Sequence, residues 1–279
     1  MKLGFNLLLW TTHVTAEHGP IFEALKEAGY DGVEVPLGAG DEAHYRALAA
    51  ELDRCGLERT AITSVTEETN PTSSDPAIRK AAVEHLRWAT DMAAVLGSSM
   101  LGGPFHSAYK YFTGMPATED ERAHSAEVLR AAAEYAQSAG VQLSIEALNR
   151  FECYLVNTMA DARDLVHRAD HPALGVHYDT HHMHIEEKSI RRAVLDTAAE
   201  ISHVHLSEND RGVPGKGQVA WAETFQALHE IGYDGWLTLE AFSRKDPDFA
   251  GAIHVWRDYD PAEEIYREGA RFVREGWQG

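Results

Sequence analysis

The residues of this chain with the most pointed chemical character lie in its second half. Glu146, Asp179, His205 and Glu240 each stand at the end of a short apolar run, and they are separated by 33, 26 and 35 residues. Each interval is about the length of one strand followed by one helix. If the runs are neighbouring parallel strands, three carboxylates and one imidazole arrive at a common rim. Such a cluster repels itself unless a cation sits within it. An oxygen-rich donor set with a single nitrogen suits Mn²⁺, with Co²⁺ or Mg²⁺ as the other candidates, better than it suits structural zinc. Taken singly, each residue has an ordinary alternative, since strand-end carboxylates commonly cap helices and strand-end histidines commonly hold one hydrogen bond. The repetition at four strand ends carries the reading. In the stretch SHVHLSENDRGVPGKG (202–217), His203 and His205 share one face of a strand that opens into a loop carrying Arg211 and Lys216.

The elements that must position these groups follow from hydrophobic periodicity. Strands are predicted at 3–10, 31–37, 57–64, 98–105, 141–147, 174–179, 203–206 and 235–242. Helical patterns separate or follow them at 19–29, 41–56, 76–96, 118–139, 159–169, 186–200, 220–232 and 262–276. This alternation predicts an α/β chain, a single (β/α)8 TIM barrel in which residues 1–279 form one domain. A doubly wound open sheet gives a similar list, but no G-x-G-x-x-G follows the first strand. In a barrel the chemistry gathers at the C-terminal ends of the strands, where the four residues above fall. Two residues back from them stand Ser144, His177, His203 and Thr238. That layer is polar for a barrel interior and would either orient the rim residues or form a satisfied polar core.

Composition narrows the function. With 25 Lys+Arg against 44 Asp+Glu, the formal charge of -19 repels phosphate backbones and anionic membranes, so no nucleic acid and no membrane partner is expected. The opening MKLGFNLLLW is too short and too poorly flanked for a signal peptide or spanning helix, and the expected location is cytoplasmic. Two cysteines, Cys55 and Cys153, support neither a disulfide framework nor a cysteine zinc site. The PGKG segment after Arg211 is similar to a phosphate-binding loop but lacks its strand-to-helix context and its Ser/Thr. Trp10, Phe105, Tyr109, Phe112 and Trp256 are candidates for an apolar end of a pocket, with ordinary packing as the alternative.

The motifs SIEALNRFE, HYDTHHMHIEE, HVHLSENDRGVPGKG and LEAFSR, in that order, resemble the ketose 3-epimerases of the D-tagatose and D-allulose (psicose) 3-epimerase group, within the xylose-isomerase-like barrels. The resemblance covers nearly the whole chain. It implies that Glu146, Asp179, His205 and Glu240 are the metal ligands, with Glu146 and Glu240 also the acid/base pair. It places Glu152, His182 and Arg211 at substrate-binding positions. The implied reaction inverts C3 of a free ketose through a metal-bound cis-enediolate, and an assembly of two or four copies is expected. The sequence departs from the group at His181 and His184, where an aromatic residue and Asn are common, which bears on substrate preference. An aldose-ketose isomerase would use the same chemistry one carbon away, and a non-catalytic sugar-binding barrel would not require both carboxylates. Metal-dependent endonucleases sharing the barrel are disfavoured by charge and by too few additional histidines.

Overall fold

The computed structural model describes residues 1–278. Eight strands close into one barrel in sequence order: β1 (Lys2–Asn6), β2 (Gly32–Pro36), β3 (Glu58–Ile62), β4 (Met100–Gly103), β5 (Gln142–Glu146), β6 (Leu174–Asp179), β7 (Ile201–Leu206) and β8 (Trp236–Leu239). Every neighbouring pair is parallel, including the closure of β8 on β1. Helices α1 (Gly19–Glu27), α2 (Glu42–Cys55), α3 (Pro76–Leu96), α4 (Glu119–Ser138), α5 (Met159–Ala169), α6 (Thr180–Glu186), α7 (Ile190–Asp196), α8 (Trp221–Glu230), α9 (Pro247–Ala252) and α10 (Ala262–Gln278) complete the fold.

Local sequence fixes these boundaries. Asp41 caps α2 through the His44 N–H, and Gly56 ends it in the left-handed region at φ 67°. Thr118 and Glu121 form a reciprocal capping box at the start of α4. On β2 the period-2 alternation sends Val33 and Val35 into the apolar layer beneath the helices, while Glu34 points the other way. That apolar layer, with Phe5, Phe22, Tyr30 and Leu48 fully buried, holds the helices against the outside of the sheet. The inside of the barrel is polar instead. Asn6, Glu34, Thr60, Ser144, His177, His203 and Thr238 are all buried there.

The structure differs from the sequence expectation in particular places. The first strand stops at Asn6, whose side chain accepts the Leu8 N–H and turns the chain into a short 3-10 segment, Leu7–Leu9. The helix expected at 186–200 is shortened to α7 because Ser189 caps it late and Thr197 ends it. Two short helices, α6 and α9, were not anticipated. The candidate ligands are also not level in the ladder. Glu146 pairs with His177 and then His203, whereas Asp179 pairs with His205 and then Thr238. This two-residue climb is the stagger that closing a tilted barrel requires, and it brings the rim groups together.

Glycines end β4 where the interior is most crowded. A Cβ on Gly102 would stand 3.2 Å from His177 Nδ1, and one on Gly103, at φ 122°, would meet the Thr63 carbonyl oxygen at 2.2 Å. Gly103→Ala should therefore lose about 2–4 kcal/mol from strain and clash together. Calorimetry should show the melting temperature falling by several degrees, and an unchanged value would contradict this account of the β3–β4 contact.

Candidate active site

Glu146, Asp179, His205 and Glu240 are all buried, and each offers a ligand atom within 4.8 Å of the others. His205 Nδ1 is central to the group, 3.4 Å from Glu240 Oε1 and 3.7 Å from Asp179 Oδ2. It has no hydrogen-bond partner, because the other ring nitrogen, Nε2, is engaged by Glu34 at 2.5 Å. A buried imidazole nitrogen left open among three carboxylates fits a cation, which would use that lone pair and offset the charge. The donor set is therefore suited to one divalent ion. A second cluster, His177, His203 and His205, lies one layer deeper. It contributes only nitrogens and does not line the pocket.

Asp179 serves two elements at once. Its Oδ1 accepts the N–H groups of His181 at 2.6 Å and His182 at 3.2 Å, capping α6, while Oδ2 faces the cluster. The cap and the rim charge that looked like alternatives in the sequence are two oxygens of one group. The cap also explains why α6 begins directly after β6 and why His182 is buried. His182 Nδ1 lies 3.1 Å from the Asn149 backbone N, which donates to it. Nε2 faces Glu146 Oε1 at 3.6 Å and stands 3.1 Å from Arg211 Nη2. Arg211 can only donate, so Nε2 is the acceptor of this contact, and both ring nitrogens of His182 face donors.

Arg211 enters the site from the loop after β7, with its backbone in the left-handed region at φ 66°. That geometry, costly for a residue with a side chain, is held by its N–H to the Glu208 carbonyl and by its carbonyl, which accepts the Phe242 N–H. The guanidinium lies 4.7 Å from the centre of the Phe242 ring and reaches Glu240 Oε2 at 2.6 Å and Ser207 Oγ at 2.9 Å. Glu152 stands at the pocket wall together with Tyr109.

Electrostatics differ within the cluster. Burial pushes the Glu146 carboxyl well above its usual range; His205 pulls it down, while Glu240 and Asp179 add to the rise. Burial would also raise Asp179, but His182, Arg211 and His205 hold it well below. His205 resists its own burial because Glu34 and Glu240 raise its imidazole well above the ordinary value. Burial keeps His182 well below its ordinary value and brings His181 down to about 3.

The cluster opens into a cavity of about 400 Å³. Its polar end carries Glu146, Glu152, His182, Arg211 and Glu240; Leu8, Pro36, Ile62, Phe242 and Phe249 contribute apolar surface. Of the aromatics considered from sequence, only Tyr109 lines it. Phe105 is buried in the core, Trp10 packs on Phe5, and Phe112 and Trp256 are exposed. Sequence reading missed Glu34, whose one signal was a carboxylate alone in an apolar strand run. It also missed Glu208. The PGKG loop does wrap an anion, but the anion is the chain's own: Glu208 accepts the N–H groups of Asn209, Gly215, Gln218 and Val219 and the Trp221 indole N–H.

A closed eight-stranded barrel with a buried Glu/Asp/His cluster at the C-terminal ends of its strands is the frame of a TIM-barrel enzyme. The chain matches the Xylose isomerase-like TIM barrel family over residues 22–276 and belongs to it. A ketose 3-epimerase from Arthrobacter globiformis is 35% identical, with 99% of this chain and 96% of that protein aligned. The structure of a D-allulose 3-epimerase from Methylomonas sp. in complex with D-allulose matches at a TM-score of 0.92 and 30% identity, covering 99% of this chain and 96% of that one. A D-psicose 3-epimerase from Clostridium cellulolyticum H10 with D-tagatose gives a TM-score of 0.91 at 31% identity, covering 99% of both chains.

Glu208→Ala would leave four donors without an acceptor, since the Gln218 N–H keeps Asn209 Oδ1 at 2.7 Å. The expected result is a loss of at least ~3 kcal/mol and new protease cleavage within 208–219. Wild-type melting and an intact loop in the variant would show that water replaces the carboxylate without cost.

Proposed function

We propose that the chain is a metal-dependent isomerase that epimerises a free ketose at C3. The observation that carries this is the placement of Glu146 and Glu240 in one buried cluster at the polar end of a sugar-sized pocket, in a chain whose full-length relatives are named ketose 3-epimerases. In this reading residues 1–279 act as one domain, and Glu146, Asp179, His205 and Glu240 hold one divalent ion, with Mn²⁺ favoured and Co²⁺ or Mg²⁺ able to substitute. Such an ion supplies the positive charge that makes a proton beside a carbonyl removable.

The chain's own groups do the rest. His182 and Arg211 hold substrate oxygens, and Glu152 holds a neighbouring hydroxyl, fixing C3 between the two catalytic carboxylates. One of Glu146 and Glu240 takes the C3 proton as the electrons move onto the C2 oxygen. The other returns a proton to C3 from the opposite face, which inverts the carbon and restores the ketone. A phosphorylated sugar is disfavoured. Among the described lining residues Arg211 is the one Lys or Arg, and it is already committed to Glu240 and Asp179. Substrates of the D-allulose/D-fructose, D-tagatose/D-sorbose or L-ribulose/L-xylulose type fit this description. No described helix is long and apolar enough to cross a membrane, and the net charge of -19 disfavours nucleic acid. Action in the cytoplasm, as an assembly of two or four copies, completes the proposal, with sedimentation as the check on the assembly.

The deciding experiment incubates a ketohexose with the enzyme in D₂O. Deuterium should appear at C3 with the C3 epimer as product; deuterium chiefly at C1 with an aldose product would establish carbonyl migration instead. Chelation should abolish turnover, and Mn²⁺ or Co²⁺ should restore it. Undiminished activity in metal-free protein would refute the metal requirement. Arg211→Ala should keep the ion, because a competing positive charge is removed from beside Glu240, yet lose kcat/KM by about 10²-fold or more. Loss of the ion from folded variant would reassign Arg211.

A further inference from the structure

Glu34 is a carboxylate placed where a barrel interior offers it no lysine or arginine. Fully buried on β2, it faces polar groups from three other strands: Asn6 Nδ2 at 3.1 Å, Thr60 Oγ1 at 3.0 Å and His205 Nε2 at 2.5 Å hydrogen-bond to it, and His203 Nε2 stands 2.8 Å away without hydrogen-bond geometry. A buried anion is costly to keep, and an apolar residue of similar volume would serve stability as well or better. Its contacts lead instead to the cluster.

The first lead is through His205. Because Nε2 is turned to Glu34, Nδ1 is the nitrogen presented to Asp179 and Glu240, and it has no other partner. The second lead is through Asn6. Its Oδ1 accepts the Leu8 N–H at 2.9 Å, which fixes the amide so that Nδ2 points inward. That one Nδ2 donates to Glu34 Oε1 and to Glu240 Oε1, both at 3.1 Å. One buried carboxylate is thus tied to two of the four groups in the cluster.

We propose that Glu34 is a positioning residue for the cation site: it selects the His205 nitrogen that faces the ion and, through Asn6, sets the direction of the Glu240 carboxylate. This rests on the reading of the cluster as a metal site. A ligating imidazole whose far N–H is given to a carboxylate is both oriented and made a better donor, and loss of such a partner weakens metal binding about 10–100-fold. Glu34 touches neither the pocket nor any substrate position, so its effect is carried by ligand geometry.

The test is a competition titration of Mn²⁺ and Co²⁺ against a chromophoric chelator, with the visible spectrum of the Co²⁺-loaded protein recorded alongside. Glu34→Gln keeps the shape and the acceptor for His205 but removes the charge. It should bind one ion per chain 10–100-fold more weakly, with an altered Co²⁺ spectrum. Thr60→Val removes a different hydrogen bond to Glu34 and should stay within about twofold of wild type, since both histidine contacts survive. If Glu34→Gln does not fold, Glu34→Asp, which withdraws the carboxylate by one methylene, carries the same comparison. Wild-type affinity and spectrum in a folded Glu34 variant overturn the proposal. So does equal weakening by Thr60→Val, which would trace the loss to a loosened interior. A wild-type chain that takes up no ion under these conditions refutes the metal reading itself and is distinguishable from both outcomes.

Discussion

Like charges held close together in a place water does not reach set the terms for this molecule. Glu146, Asp179 and Glu240 converge with little solvent to screen them, and Glu34 adds a fourth carboxylate just beneath. In water such groups would repel weakly; inside a barrel the same spacing is costly. The surrounding chemistry answers that problem. Arg211 reaches in from the β7–α8 loop, His205 and His203 lie against Glu34, and Asn6 bridges two carboxylates with one amide. These groups leave Nδ1 of His205 open, in a donor set that could hold a cation.

The barrel separates two jobs by face. Outward residues of the strands build the apolar layer that holds the helices, and inward residues build a polar shaft. This division lets the interior be unusually rich in histidine and carboxylate without weakening the packing that supports it. Gly102 on β4 makes room for that shaft, since a Cβ there would press on His177.

Much of this was legible in the chain. The strand ends could be read because each apolar run closes on a charged residue, and the bounds of β6 and α5 agree with the pattern to the residue. What escaped notice had physical reasons. The helices α6 and α9 have seven and six residues, too short to show a period. Glu34 sits in mid-strand, where nothing local marks the neighbours that closure brings to it from β1, β3 and β7. Glu208 looked like one more charge in a polar loop, because the donors that fix it come from residues up to 13 positions away. The polar layer of Ser144, His177, His203 and Thr238 was visible, but which of these touch a rim group depended on the stagger of the ladder.

The double use of Asp179 narrows what that position can become. Asparagine would keep the oxygen that caps α6 and lose the charge that faces the cluster; glutamate would keep the charge and carry it past the cap by one methylene. Either change reaches His182, because the first turn of α6 is what buries that ring beside Asn149. Drift at this residue cannot retune the cluster while sparing the seat of His182. A lineage exploring new sugars has more freedom on the apolar wall around Leu8, Ile62 and Phe249, none of which belongs to the cluster.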